Sequence, residues 1–213
     1  MSIQMRELRN PNNGNLPLRV TKGHFATSHS HINYYVDLTM TKYCLPEARE
    51  AAVHLANRFK STTIVDTILC LDGTEVIGAC VANELTKNDY LNINAHQTIY
   101  VISPEFIGGG QMIFRDNLIP MLTNKHVLVT AASVTTGKSA LAAIDAITYY
   151  GGIVVGVSAI FATVEECDGH PVHSIFNPND LGDYRSYKPH LCPNCQRGEK
   201  IEALVNSYGY SAL

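Results

Sequence analysis

The sequence predicts an α/β fold in which helices flank a parallel sheet, because short apolar runs alternate with helical segments along its middle. Its 213 residues are enough for one generous domain, and 46% are hydrophobic while 16% are charged. This composition is typical of globular chains and excludes disordered, collagen-like and coiled-coil ones. The net charge of −3 and the lack of any block of like charge exclude a polyanionic partner held by bulk electrostatics, so no nucleic acid is expected.

The first predicted elements follow a polar N-terminal stretch. Residues 1–45 are weakly periodic, and we expect a small hood there with a strand at residues 33–38. A helix is predicted over residues 46–59, which begin with proline, the favoured first helical residue. The apolar, β-branched run at residues 64–71 predicts a buried parallel strand, and residues 76–85 predict the next helix.

The same alternation continues toward the C-terminus. Further strands are predicted at residues 98–102, 126–130 and 153–161, a long glycine-rich loop at 103–116, and a helix at 139–150. The tail is expected to be loop-like until a short helix near residues 199–207. We therefore predict three parts, which are a hood at 1–45, an α/β core at 46–176, and a tail at 177–213.

A hydroxyl-rich loop follows the apolar strand at residues 126–130. Backbone amides of such a loop, with a helix dipole behind them, form an anion site, and Gly137 allows close approach of the backbone. An ordinary strand-to-helix turn with a capping Ser/Thr cluster is the alternative. A P-loop is excluded, because that motif needs a glycine where Ala132 stands.

This segment resembles the phosphate-binding motif of type I phosphoribosyltransferases. An apolar strand leads through Ala131 and Ala132 into SVTTGKS (residues 133–139) and an Ala-rich helix that ends in YYGG. DGTE at residues 72–75 resembles the pyrophosphate loop of that family. TKGH at 21–24 and NYYVDL at 33–38 resemble the opening of orotate phosphoribosyltransferases. The resemblance covers roughly residues 18–165, in the order that the family has.

The resemblance implies a transferase that joins a nucleobase, orotate or another base, to 5-phosphoribosyl-1-pyrophosphate (PRPP) and releases pyrophosphate. It also implies Mg²⁺ and a homodimer. The phosphate site would be Ser133, Val134, Thr135, Thr136, Gly137, Lys138 and Ser139. The pyrophosphate loop would be Asp72, Gly73 and Thr74, the base side Lys22, Tyr34 and Tyr35, and the catalytic residues Lys22, Asp72 and Arg115. A solvated lysine, a plain Asp-Gly turn and strand tyrosines are the structural alternatives.

Two departures from the family pattern concern the transition state. Ala131 and Ala132 stand where the family has two adjacent acidic residues, and the segment at residues 103–117 offers only Arg115 where orotate enzymes have a basic mobile loop. Both differences remove groups that stabilise developing charge, so slow turnover is expected. A non-catalytic protein that senses PRPP or a nucleotide is the alternative function.

The cysteines carry the remaining candidate site. Cys192 and Cys195 form a C-x-x-C pair, which is half of a zinc site, and the candidates to complete it are Cys167, His170, His173 and His190. Two free thiols are the favoured interpretation. His24, His29 and His31 are interpreted as loop histidines, since no acidic residue or cysteine has the usual ligand spacing.

The sequence contains neither an N-terminal apolar leader nor a run of the ~20 apolar residues that a membrane helix needs. The six cysteines are therefore expected to be reduced thiols in the cytoplasm, and Cys70 and Cys80 to be small buried hydrophobes.

Overall fold

The computed structural model describes residues 5–9 and 14–213, and these contain fourteen strands and five α-helices. The strands are β1 (Arg6–Arg9), β2 (Pro17–Ala26), β3 (His31–Asp37), β4 (Thr67–Cys70), β5 (Tyr100–Ile102), β6 (Glu105–Ile107), β7 (Gln111–Ile113), β8 (His126–Val134), β9 (Ile153–Ala162), β10 (Glu166–Cys167), β11 (His170–Phe176), β12 (Ser186–Tyr187), β13 (Ala203–Asn206) and β14 (Gly209–Ala212). The α-helices are α1 (Thr39–Tyr43), α2 (Leu45–Asn57), α3 (Glu75–Leu85), α4 (Lys138–Tyr149) and α5 (Pro193–Gln196).

The central sheet has the strand order β10-β11-β9-β8-β4-β5, and its pairs from β11 to β5 are parallel. Helices α2 and α3 pack on one face through an apolar cluster that includes Leu55, Ile77 and Val81. Helix α4 covers the other face through Ala143 and Ile147. The predicted α/β architecture with a helix-flanked parallel sheet is confirmed. The carboxyl ends of β4 and β8 meet at one edge, where ligand sites of such sheets lie.

A second sheet forms the hood, and both ends of the chain contribute to it. Its order is β12-β3-β2-β13-β14, with β1 also paired to β2. Strand β13 runs parallel to the end of β2, pairing Ala203 with Phe25 and Leu204 with Ala26. The helix predicted near residues 199–207 is therefore wrong. Ala203 and Val205 are buried and alternate with exposed neighbours, which is the period of a strand.

Two other boundaries differ from the prediction. Strand β8 continues beyond residue 130, because Ser133 and Val134 pair with Phe161 and Ala162 of β9. The segment predicted as one long loop at residues 103–116 contains the antiparallel hairpin of β6 and β7. The backbone hydrogen bonds of residues 133–134 are supplied by β9, and those of β6 and β7 by each other. Such pairing cannot be recognised from the local sequence.

The tail, predicted to be loop-like from residue 177, instead contains β12 and α5, whereas the other predicted helices and strands match observed ones. Helices α2, α3 and α4 and strands β4, β5 and β9 all overlap their predicted segments, and β3 overlaps the predicted hood strand. Cys70 is buried and Cys80 is half-buried against the core. Within the described residues, no helix combines the length and apolar character required to cross a membrane. The division into parts at residues 45 and 176 stays a prediction.

Candidate functional site

A cleft of about 250 Å³ lies between the hood and the carboxyl edge of the central sheet. Its walls contain residues from the β8–α4 junction, from the turn after β4, from the hood, and from the antiparallel pair β13–β14, which we call the C-terminal hairpin. Among them are Tyr34, Tyr35, Asp72, Ser133, Thr135, Thr136, Lys138, Ser139, Asn206 and Ser207. The structure therefore brings together residues that the sequence assigned to phosphate, pyrophosphate and base.

The floor of the cleft is the start of α4. Gly137 caps this twelve-residue helix with a φ of 73°, a left-handed conformation that glycine adopts without strain. No side chain among the described residues caps the helix, and a smaller cavity of about 40 Å³ lies directly at its first turn. Val134 and Gly137 line this smaller cavity rather than the main cleft. Uncapped first-turn amides and the helix dipole favour an anion at this point.

Neighbouring strands hold the short loop before α4 in place. The Thr163 amide donates to the Val134 carbonyl at 2.9 Å, and the Thr163 hydroxyl donates to the Thr135 carbonyl at 2.7 Å. These bonds leave the side chains of Thr135 and Thr136 exposed toward solvent and the cleft. The loop is therefore pre-organised, which lowers the entropy lost when a ligand binds.

Asp72 supplies a carboxylate to the cleft. It follows β4 with a φ of 58°, and Gly73 follows with a φ of 77°, so both residues of this tight turn are left-handed. The carboxylate accepts hydrogen bonds from the Ser207 hydroxyl and the Ala132 amide. Burial raises the pKa of Asp72, and these two bonds and the Lys42 ammonium oppose the rise only in part.

Lys42 lies beneath this turn and is a residue that the sequence analysis missed. Its side chain is buried, and its ammonium donates to the carbonyl oxygens of Asp72 at 2.9 Å and Ser207 at 2.5 Å. The ammonium also lies 5.1 Å and 5.6 Å from the ring centroids of Tyr43 and Tyr208. Burial lowers the pKa of Lys42, although nearby carboxylates favour the charged form. No local pattern distinguishes it from the solvated lysines of the hood.

Four residues predicted for the transferase site line neither the cleft nor the smaller cavity at α4: Gly73, Thr74, Lys22 and Arg115. The Thr74 hydroxyl is buried and donates to the carbonyls of Leu71 and Thr130, so it joins the ends of β4 and β8. Lys22 is exposed and pairs with Asp183 at 2.5 Å. Arg115 is exposed and pairs with Glu105 at 2.6 Å, at the base of the β6–β7 hairpin. Their roles toward a ligand stay predictions.

Tyr34 and Tyr35 line the hood side of the cleft, and their role toward a base stays a prediction. The Tyr34 hydroxyl donates to Asp183 at 2.6 Å. The Tyr35 ring is buried and makes edge contacts with Phe25 and Tyr210, at centroid distances of 6.1 Å and 5.6 Å. Burial, with Asp37 nearby, raises the pKa of Tyr35, so its phenol is neutral at physiological pH.

A second cluster of side chains lies on the far side of the hood. Its members are His24, His31, Cys192 and Cys195, and their ligand atoms all lie within 4.8 Å of one another. The interpretation of His24 and His31 as loop histidines is therefore wrong, since they lie in β2 and β3. His29 does lie in the connecting loop. The histidines and the cysteine proposed from the sequence to complete the C-x-x-C pair are not part of this cluster.

Comparison with known proteins finds its matches among solved structures. No family model matches the chain, and no curated protein matches it. Orotate phosphoribosyltransferase of Mycobacterium tuberculosis in complex with PRPP is 20% identical, with a TM-score of 0.52 over 70% of this chain and 83% of that one.

Two further structures extend the likeness. A phosphoribosyltransferase from Corynebacterium diphtheriae is 23% identical, with a TM-score of 0.54 over 77% of this chain and 91% of that one. Adenine phosphoribosyltransferase of Trypanosoma brucei, in complex with AMP, pyrophosphate and ribose-5-phosphate, is 13% identical, with a TM-score of 0.56 over 86% and 90%. The resemblance to type I phosphoribosyltransferases is thus confirmed at the level of the fold.

Proposed function

We propose that this chain is a phosphoribosyltransferase of the orotate type, which joins a nucleobase to PRPP and releases pyrophosphate. The observation that carries the proposal is the convergence of the uncapped α4 N-terminus, the Asp72 turn and two hood tyrosines on one cleft. Its fold is that of proteins crystallised with PRPP and with AMP, which supports a phosphorylated ribose as the ligand.

The phosphate end of the ligand fits the β8–α4 junction. First-turn amides of α4 and the hydroxyls of Thr135, Thr136 and Ser139 offer hydrogen-bond donors, and Lys138 adds a positive charge. Every one of these side chains is exposed in the described structure, so a phosphate can reach them without a change in the core.

The reacting end of the ligand then lies toward Asp72 and the hood. In the proposed reaction, a nitrogen of the base forms a bond to the anomeric carbon of the ribose while the bond from that carbon to pyrophosphate breaks. The electron pair leaves with pyrophosphate, and positive charge grows on the ribose. Asp72 is the carboxylate that lines this cleft among the described residues, so it is the group placed to stabilise that charge. Tyr34 and Tyr35 would hold the base.

The resemblance implies Mg²⁺, and the donor set in the cleft fits this ion. Mg²⁺ in such sites keeps several waters and binds one or two carboxylates together with substrate phosphates. Asp72 supplies one carboxylate in the turn to which the resemblance assigns pyrophosphate. The ion would neutralise charge on the departing pyrophosphate. The chain's own contribution is to hold Asp72 with the Ser207 hydroxyl and the Ala132 amide.

One observation favours the alternative function, a non-catalytic sensor of PRPP or a nucleotide. Ala131 and Ala132 are buried, 2% and 0% exposed, and they supply no side-chain acceptor for the ribose hydroxyls. Binding through the phosphate loop does not depend on them. Transition-state stabilisation does, because carboxylates bind those hydroxyls more strongly as charge grows on the ribose.

The test separates binding from turnover. Calorimetric titration with PRPP and Mg²⁺ is followed by assays of the same sample for consumption of orotate and of adenine. Turnover of orotate supports the proposal, turnover of adenine alone corrects the base, and binding without turnover selects the sensor. Lys138→Met should weaken PRPP binding. Lys125→Met is the control, because Lys125 immediately precedes the N-terminal end of β8, away from the phosphate loop, and this variant should bind PRPP normally. A chain that binds no PRPP overturns both functions.

The homodimer implied by the resemblance belongs to the same proposal. Size-exclusion chromatography with light scattering should give twice the mass of the chain. A monomer that turns over PRPP would show that the cleft is complete within one chain.

A further inference from the structure

We propose that the chain binds one Zn²⁺ through four side chains shared by the hood and the tail: His24, His31, Cys192 and Cys195. The two histidines lie in adjacent strands of the hood, and the two cysteines lie in the tail. Cys192 contacts His24, which is 168 residues away along the chain, and Cys195 contacts His31, which is 164 residues away. The site is separate from the cleft, because none of its four ligands lines it, and the assignment of the metal does not rest on the proposed reaction.

The distances between the ligand atoms match a tetrahedron of zinc ligands. Bond lengths of about 2.0–2.1 Å to nitrogen and about 2.3 Å to sulfur place two nitrogens about 3.3 Å apart, and a nitrogen and a sulfur about 3.6 Å apart. The structure has His24 Nε2 at 3.3 Å from His31 Nδ1, and Cys195 Sγ at 3.2 Å from that Nδ1. The distances from His24 Nε2 to the sulfurs of Cys192 and Cys195 are 3.4 Å and 3.6 Å.

The second nitrogen of His24 supports the same assignment. A histidine that binds a metal usually donates its other ring N–H to a carbonyl or carboxylate, which fixes the ring and the tautomer. Nδ1 of His24 lies 3.1 Å from the carbonyl oxygen of Glu199 and 3.2 Å from that of Lys200. With Nδ1 as the donor, Nε2 carries its lone pair toward the two cysteines and is free to bind a cation.

The setting of the cluster is that of a structural site. His24, His31 and Cys192 are buried, and Cys195 is exposed, which gives an ion a path to enter. The C-x-x-C segment forms the one-turn helix α5, in which the Gln196 amide donates to the Cys192 carbonyl, and the Gly198 amide then donates to the Cys195 carbonyl. Two thiolates with two imidazoles favour Zn²⁺ over the hard ions Mg²⁺ and Ca²⁺.

The site has a structural consequence for the cleft. From Cys195 the chain continues into β13, which pairs with β2 at Phe25, the residue after His24. The turn between β13 and β14 then brings Ser207 to Asp72 and Lys42. A metal at the cluster would therefore anchor the strand pair that completes one wall of the cleft.

Metal content and cobalt substitution test the proposal on the full chain. Protein purified without chelators should contain about one equivalent of zinc. After removal of the metal under reducing conditions, Co²⁺ alone should give the visible bands of tetrahedral Co²⁺ and the charge-transfer bands of thiolate ligands. The proposal is overturned if the purified protein contains no zinc and the cobalt-treated protein shows none of these bands. It is also overturned if Cys192 and Cys195 form a disulfide and the protein still binds no Co²⁺ after that disulfide has been reduced.

Matched variants locate the site. Cys195→Ser changes the exposed ligand, so the fold should tolerate it, and zinc content should fall at least tenfold. His190→Ala removes a tail histidine two residues before Cys192 and should leave zinc unchanged. Removal of zinc should also speed trypsin cleavage after Arg197 and Lys200 in the wild-type chain. Zinc retained in Cys195→Ser, or lost in His190→Ala, would place the metal elsewhere.

Discussion

The ammonium nitrogen of Lys42 lies 2.5 Å from the carbonyl oxygen of Ser207, although 165 residues separate the two in the chain. The same ammonium donates to the carbonyl oxygen of Asp72. One buried lysine thus joins the C-terminal hairpin to the turn that carries the carboxylate of the cleft. Asp72 and Ser207 both line the cleft, so this contact helps to hold its wall.

Replacing Lys42 by methionine should destabilise the chain. Two partly buried carbonyl oxygens lose their donor, and an unsatisfied buried polar group costs about 1–3 kcal/mol. We expect the free energy of unfolding in urea to fall by at least about 1 kcal/mol, and protection of the β13–β14 amides from hydrogen exchange to decrease. Lys22→Met is the control, because Lys22 forms an exposed ion pair and its loss should leave stability unchanged. Equal stability of the two variants would contradict the role of Lys42.

Gly137→Val should weaken PRPP binding more than tenfold, which is about 1.4 kcal/mol. Valine is strained at a φ of 73°, and its Cβ would lie 3.0 Å from the Cys167 sulfur. The loop must therefore shift away from the geometry that presents the α4 amides. Calorimetric titration measures the change.

Gly151→Val is the matched control for that experiment. Gly151 lies just beyond the opposite end of α4 with a φ of 77°, so valine is strained there as well. Both variants should lose stability, and only Gly137→Val should lose affinity. A Gly137→Val protein that is folded and binds PRPP as tightly as wild type would exclude the α4 N-terminus as the phosphate site.

Asp72→Asn should change the pH dependence of stability in a defined direction. Burial raises the folded-state pKa of Asp72 above 3.8, so the folded chain binds this proton more tightly than the unfolded chain does. The Asp72 contribution to stability therefore decreases as pH rises from about 4 through the folded pKa, and then levels off.

The asparagine variant lacks this titration. Its stability relative to wild type should accordingly increase over the same pH range, as measured by urea unfolding at a series of pH values. Its affinity for PRPP with Mg²⁺ should fall, because the carboxylate is lost. Asp66→Asn is the control of opposite sign. Burial raises the pKa of Asp66, but hydrogen bonds from His126 outweigh burial and lower it below 3.8, so this variant should lose relative stability as pH rises toward about 4 and change little above that pH.

Introducing an acidic residue at Ala132 should destabilise the fold rather than speed turnover. Ala131 and Ala132 point to opposite faces of β8 and are packed in two different apolar clusters. An unpaired carboxylate there would reduce the free energy of unfolding by an amount on the order of 3 kcal/mol or more. Ala79→Asp, on the exposed face of α3, should be tolerated. A stable Ala132→Asp protein with faster turnover would contradict this expectation.

The local pattern of the sequence was sufficient to predict most helices and strands of the core. Apolar, β-branched runs and amphipathic segments are patterns that extend over only a few neighbouring residues. They can therefore be recognised in the sequence, and they predicted the positions of β4, β8, β9, α2, α3 and α4. The hydroxyl-rich run after β8 likewise indicated the α4 N-terminus. The end of β8 was placed too early, since only the pairing of Ser133 with Phe161 shows that the strand continues.

The sequence by itself determined the α/β class, the order of the core elements and the position of the candidate phosphate loop, because each depends on short-range periodicity and turn chemistry. Tertiary structure alone decided that His24 and His31 meet Cys192 and Cys195, and that Lys42 lies buried beneath Asp72. Those groups are brought together by the pairing of β13 with β2, a contact between the two ends of the chain. Such pairing is selected by the free energy of the whole fold, and neither segment by itself shows which strand it will pair with.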